Sequence, residues 1–216
     1  ILRALYADPK WVATLLPLLR QFCPDPTQAS GLHNALLLLA EAQARLYGTD
    51  RNLDEIAALL ERAMELAKQD QPEDANAPGA TWHDFLLAQI YNWRGYHARL
   101  RYELDQATQE YRRSLRQVRR QATLPPLFRA ITLNNLAYTY AEQGAVEKAR
   151  DYIKRALELF LEAGSGYYTA LCHTTIARIE TRAGNPLMAL EFANKAVRVL
   201  KDRLNSVRGQ GLCLPV

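Results

Sequence analysis

Few side chains in this sequence are spaced for chemistry. His33, His83, His97 and His173 are scattered, and none stands in an H-E-x-x-H arrangement that would set two imidazoles one helical turn apart around a metal. Cys172 and His173 adjoin, but neighbours on a helix point in different directions and do not converge on an ion. Cys23, Cys172 and Cys213 are odd in number and widely separated, a pattern of reduced thiols and not of a disulfide framework. No P-loop or nucleophile elbow is found, and Gly164-Ser165-Gly166 lacks the preceding strand a phosphate loop needs. The residues offer no catalytic group, no metal set and no cofactor site, so an enzyme is the least expected reading.

Charge is the next candidate. The run 112–120 carries five arginines, Arg112, Arg113, Arg116, Arg119 and Arg120, enough to grip phosphates or an acidic protein. On a helix the same run interleaves them with Tyr111, Leu115 and Val118, which makes a solvated face over a core face the stronger reading. An RNA-binding helical repeat remains the alternative. Over the whole chain, 27 Lys and Arg against 23 Asp and Glu leave a net charge of +4, too modest to call for nucleic acid or an anionic membrane. With 49% hydrophobic and 23% charged residues, the composition is that of an ordinary soluble domain. No apolar run approaches the roughly 20 residues of a membrane span. A reducing cytoplasm is the expected setting. Trp82 and Trp93 read as packing residues before ligand-stacking ones.

What must position these residues is a repeat. Gly95, Ala137 and Ala177 are each followed, at one constant offset, by Ala107, Ala149 and Ala189. The interval from Ala107 to Ala149 and that from Ala149 to Ala189 are nearly equal, a period at which helix pairs stack into solenoids. Short side chains let two helices of a hairpin approach closely, so each Gly or Ala of the first helix is expected to face an Ala of the second. The fullest unit runs Leu133-x2-Leu136-Ala137-x2-Tyr140, then Ala149-x3-Ile153-x2-Ala156.

That line resembles the tetratricopeptide signature W-x2-L-G-x2-Y followed by A-x3-F, with every offset in agreement. The preceding unit is looser, with Tyr91, Gly95, Ala98, Ala107, Tyr111 and Ser114. The following one keeps Ile176, Ala177, Ala189 and Ala196 but places His173 and Glu180 at the larger positions. The resemblance implies an all-α fold, a right-handed superhelical solenoid of antiparallel helix hairpins. The unit is longer than the family's, which runs to about 34 residues, and it lacks the closing proline. Long units of this sort are similar to the repeat arms of bacterial STAND-type signalling ATPases and related transcription activators.

The organisation expected from these signals has three parts: an N-terminal helix within 1–27, the remnant of an upstream module; a degenerate hairpin and loop over 28–80; and three repeats with a capping tail over 81–216. Asn52 and Glu55 resemble a capping box opening a helix whose apolar face is Leu53, Ile56, Leu60 and Ala63. Asn185-Pro186 reads as a helix start, and Gly144 and Gly184 as left-handed helix ends. The loop from Gln69 to Ala80 could divide two domains, although one continuous solenoid is preferred because neither side buries its apolar faces alone. The chain opens at Ile1 without a leader, which reads as a piece of a longer polypeptide. Leu212, Cys213, Leu214 and Val216 make an apolar tail expected either to fold back over the last hairpin or to contact another molecule, such as a second copy.

In a stack of hairpins the first helices line the concave side, and residues one turn apart form ladders across units. The alignment puts Asn92, Asn134 and Thr174 at one position and Tyr96, Tyr138 and Arg178 at another, with Asn135 beside Asn134; Arg99 joins them as a candidate partner-binding residue. Asparagine amides both donate to and accept from an extended peptide backbone. The lysine and arginine set of a terminal-carboxylate clamp is missing. The expected function is a non-catalytic protein- or peptide-binding scaffold or sensor domain of a larger cytoplasmic signalling or regulatory protein. Its rival is a regulator whose solenoid changes curvature when a peptide binds.

Overall fold

The computed structural model describes residues 31–47, 51–71, 80–120 and 126–211. They form eight helices and, among the described residues, no strand: α1 (Gly31–Tyr47), α2 (Leu53–Gln69), α3 (Ala80–Leu100), α4 (Leu104–Arg120), α5 (Pro126–Glu142), α6 (Val146–Glu162), α7 (Gly166–Arg182) and α8 (Pro186–Gly211). None is long and apolar enough to cross a membrane. The expected N-terminal helix within 1–27 and the tail from Leu212 to Val216 lie outside the described residues.

Chain contacts divide the protein into two compact units, 1–124 and 125–216. In the N-terminal unit α1 pairs with α2 and α3 with α4, while α3 also packs on α1 and α2. The C-terminal unit repeats the scheme, with α5 paired to α6, α7 to α8, and α7 packed on both α5 and α6. Within each unit the first helix of the second hairpin thus leans on both helices of the hairpin before it, the packing of a helical-repeat solenoid.

Local chemistry sets the ends of these helices. The Asn52 side chain accepts from the backbone N–H of Asp54 and Glu55 at 3.2 and 3.3 Å, and its own amide donates to Glu55 Oε1 at 2.8 Å. The two bonds accepted by the Asn52 oxygen satisfy donors the first turn of α2 would leave open, and the side-chain bond ties Glu55 to the cap. Pro126 and Pro186 occupy first helical positions, where a missing N–H costs nothing. The α5–α6, α6–α7 and α7–α8 turns share one geometry: a glycine with positive φ, and a bond from the next N–H to a carbonyl five residues back, as in Ala145 to Tyr140 at 2.9 Å. Helices α5, α6 and α7 are 17 residues each, α8 is 26, and the turns between them are short, so the unit's length beyond the family pattern lies in the helices.

Of the repeat alanines, Ala107, Ala137 and Ala149 are inaccessible, Ala189 and Ala196 are buried, and Ala177 is half-buried. One detail differs. A Cβ on Gly95 would come within 2.7 Å of the Tyr111 ring, so the partner of this glycine is a fully buried aromatic ring and not only Ala107. The glycine is needed because the facing side chain is large. Leu133, Leu136, Ile153 and Phe160 fill the core of the C-terminal unit, each fully buried side chain contributing about 1.5–3 kcal/mol.

The arginine-rich helix α4 has the two faces expected of it. Tyr111, Ser114 and Val118 are buried, Leu115 is half-buried, and Arg112, Arg113 and Arg116 face solvent. Arg113 donates to Glu110 at 2.7 Å. Trp93 is buried, whereas Trp82 is 60% exposed and meets Phe85 edge-on.

Candidate partner-binding surface

Because α5 and α7 lie side by side, residues at matching register on the two helices become neighbours. Tyr138 is half-buried, and the guanidinium of Arg178 sits over its ring, 4.9 Å from the centroid. Arg178 Nε also donates to Glu142 Oε1 at 2.5 Å, and Arg182 Nη2 donates to Glu142 Oε2 at 2.8 Å. One carboxylate therefore holds two arginines from the adjacent helix. Burial works against its charge, but the hydrogen bonds and positive charges of Arg178 and Arg182 outweigh that and hold Glu142 below the usual carboxylate range. The result is a fixed cationic and aromatic strip: Arg178 and Arg182 keep side-chain exposures of 45% and 50%, so both guanidiniums can be reached from solvent.

The remaining candidates of this unit flank the strip. Thr174 is exposed and its hydroxyl donates back to the Ala170 carbonyl at 3.0 Å. Asn134 and Asn135 are half-buried, and the amide oxygen of Asn134 is closed off from solvent with no hydrogen-bond partner. Glu142 and Arg182 escaped the sequence reading, although the signal was there: they stand four residues after Tyr138 and Arg178 and extend the same ladder by one turn.

Asn92, Tyr96 and Arg99 belong to the other unit and to different surroundings. Asn92 is buried, at 3% exposure, so its amide lies inside the helix packing and not on an open face. Tyr96 packs against the core formed by α1, α2 and α3. It stacks on Tyr47 at 6.4 Å and meets Trp93 edge-on at 5.6 Å, while Arg99 lies 4.7 Å over its ring. These side chains form an aromatic cluster.

Cys172 is buried with its sulfur 4.0 Å from the Ile153 carbonyl, and burial pushes its thiol up to about 12. His173 packs on Phe192, and burial together with Lys195 lowers its basicity. Among the described residues no group of three His, Cys, Asp or Glu could hold a metal.

Residues 128–202, which contain the strip, match the tetratricopeptide repeat family model. This stretch is similar to tetratricopeptide repeats. No curated protein matches the chain. Tetratricopeptide repeats are helical scaffolds that typically mediate protein–protein interaction without catalysis, and the match begins within α5 and runs into α8.

Proposed function

We propose that the chain is a non-catalytic scaffold that holds a protein or peptide segment on the α5–α7 face of its tetratricopeptide repeats. The observation that supports this reading is the strip of Tyr138, Arg178, Glu142 and Arg182, with Asn135 beside it. An extended segment laid across the two helices meets an aromatic ring for apolar contact, an amide for its backbone, and two arginines whose geometry is fixed before binding. Preorganisation matters, because ordering long side chains at the moment of binding costs about 0.5–1.5 kcal/mol each. The Tyr96–Arg99 cluster of the N-terminal unit is a further contact surface, with Asn92 behind it as packing. The long repeat unit supports a place in the repeat arm of a larger cytoplasmic signalling protein of the STAND type.

Peptides selected from a random displayed library on the wild-type chain test the reading. Their affinity should fall a few-fold for Asn135→Ala, since one net hydrogen bond contributes about 0.5–1.5 kcal/mol, and considerably further for Asn135→Ala with Tyr138→Ala. Selected peptides indifferent to the double variant would move the site elsewhere. A single-stranded RNA oligonucleotide tests α4: binding that falls steeply with salt and with Arg112→Ala and Arg116→Ala would favour the nucleic-acid reading.

A further inference from the structure

In the N-terminal unit, where α2, α3 and the start of α4 meet, lies a cavity of about 260 Å³. Repeat register shows why it is open. Helix α2 matches α6 and α3 matches α7, so Ala57 stands where Arg150 stands, and Ala98 where Glu180 stands. In the C-terminal unit the Arg150 guanidinium crosses from α6 to α7, donating to Glu180 at 3.0 and 2.8 Å and to Glu147 at 2.8 Å. Two methyl groups replace that ion pair in the N-terminal unit. The carboxylates around it are kept: Asp54 matches Glu147, and Glu103 stands in place of Asn185. Both line the cavity.

The walls say what would fill it. Asp54, Glu61 and Glu103 set three carboxylates against two guanidiniums, Arg94 and Arg101. Both guanidiniums are engaged: Arg94 donates to Glu61 at 2.6 Å, and Arg101 to Asp54 at 2.7 Å and Glu103 at 3.0 Å. One negative charge is left in excess, and Asp54 and Glu61, with side-chain exposures of 88% and 61%, keep lone pairs open to a further donor. His97 also lines the cavity and is only 8% exposed. Its Nε2 donates to the Leu53 carbonyl at 2.7 Å. A carbonyl only accepts, so the neutral ring presents Nδ1 as an acceptor, and no hydrogen bond among the described residues uses it. A nearly enclosed acceptor beside surplus carboxylates calls for a cation rich in donors. A guanidinium, with five N–H groups in one plane, meets both demands, and it is more weakly hydrated than an ammonium. The volume lies below the roughly 300–1,000 Å³ of pockets for drug-sized ligands, room for one side chain. We propose that this cavity receives an arginine side chain of a partner protein, in the place that Arg150 fills from within the chain in the C-terminal unit. Ala57 and Leu60 supply apolar surface for its methylene stem. The cavity belongs to the other unit from the α5–α7 strip, and the proposal does not depend on the proposed function.

Titration of the full chain with N-acetyl-L-arginine amide, followed through the His97 ring resonances by NMR, is the test. A saturable shift is expected, and a several-fold weaker one with N-acetyl-L-lysine amide, whose compact ammonium does not span His97 and a carboxylate at once. Ala57→Arg fills the cavity from within, as Arg150 does, and should abolish the shift. Ala57 is half-buried and arginine is a good helix former, so helical content and melting should hold. Glu61→Gln, at an exposed side chain, should weaken binding several-fold with the fold untouched. The absence of a saturable shift would overturn the proposal, as would binding that Ala57→Arg and Glu61→Gln both leave intact. Free L-arginine separates the source: its α-carboxylate is repelled by Asp54 and Glu103, so the capped form should bind better, and binding of the free amino acid alone would overturn the side-chain reading. An equal shift with acetate would mark a site for anions and overturn it as well.

Discussion

The α3–α4 and α5–α6 hairpins share one register, yet they use it for different ends. Gly95 matches Ala137, Tyr96 matches Tyr138, Tyr102 matches Gly144 and Tyr111 matches Ile153. In the first hairpin a missing side chain makes room for a buried phenol ring, and the tyrosine of the ladder is drawn into a cluster with Tyr47 and Trp93. In the second, medium side chains fill the core and the ladder tyrosine is left to a guanidinium that a largely buried carboxylate holds in place. Register fixes where a side chain starts. What the neighbouring hairpin brings to it decides whether it packs or remains available to a partner.

The largest effect should come from the core pair. Gly95→Ala gains about 1 kcal/mol of helix propensity, but the new methyl meets the ring of Tyr111 at 2.7 Å, and Tyr111 is wholly enclosed. Overpacking of this kind costs about 1–3 kcal/mol, so the net change in a denaturant melt is a loss. Adding Tyr111→Ile imports the Ala137 and Ile153 pair of the second hairpin and should recover part of it. Ala149→Leu, at a fully buried position, should cost about 1–3 kcal/mol in the C-terminal unit with no such partner to relieve it. An unchanged midpoint for Ala149→Leu would contradict the repeat alignment itself.

Next in size is an acid-sensitive pair in the C-terminal unit. Glu180 stands where Tyr140 stands one repeat earlier, and in place of stacking on Tyr152 it accepts from Arg150 and from Asn185 at 2.8 Å. The Arg150 hydrogen bonds hold its carboxyl below the ordinary value of 4.5, burial opposing and Asn185 assisting. A depressed carboxyl contributes stability that is fully present above its unfolded value and is lost as the pH falls through the folded one. Acidification below about 4.5 should therefore lower the melting midpoint, and Glu180→Gln should flatten that fall while costing about 1.5 kcal/mol at neutral pH, the scale of a charge-assisted hydrogen bond.

The ladder tyrosines sharpen the contrast at smaller scale. Tyr96→Ala removes a ring packed on the α1–α3 core and should cost about 1–2 kcal/mol. Tyr138→Ala should cost only about 0.5–1 kcal/mol, the worth of an exposed cation–π contact, while weakening any peptide held on the strip. Equal losses in the two melts would mean that both tyrosines serve packing.

Much of this was legible before any coordinates. Helix ends at Asn52, Gly144, Pro186 and Gly184 follow from side-chain hydrogen bonding and backbone sterics, which act within a few residues. The small-residue period located the core of the C-terminal unit for the same reason. The burial of Asn92 was not legible, because its surroundings come from packing within its unit, and no residue near it in sequence shows that it is enclosed. Arg150 reaching Glu180 across 30 positions, and Glu142 gathering two arginines from the next hairpin, are likewise contacts between repeats. Such contacts require knowing which helices adjoin, something the register suggests only after the hairpins are stacked.

The smallest expected effect is a gain. At the α3–α4 turn the Tyr102 N–H bonds to the Arg99 carbonyl at 3.0 Å and the Glu103 N–H to that of Ala98 at 3.0 Å, the same closure that Gly144 and Ala145 make at the α5–α6 turn. The two turns differ in the residue asked to adopt a left-handed backbone: φ is 61° at Tyr102 and 75° at Gly144. A side chain there brings Cβ against a carbonyl oxygen, at a cost of about 1–2 kcal/mol. Glycine avoids the clash but has more freedom to lose on folding, worth about 0.4–1 kcal/mol. Tyr102 is 82% exposed, so little packing is lost with its ring. Tyr102→Gly should accordingly raise stability by about 0.5–1 kcal/mol, and Gly144→Ala should lower it by about as much, both read from denaturant midpoints. A loss on Tyr102→Gly would show that the exposed ring makes a contact in solution worth more than the strain it imposes.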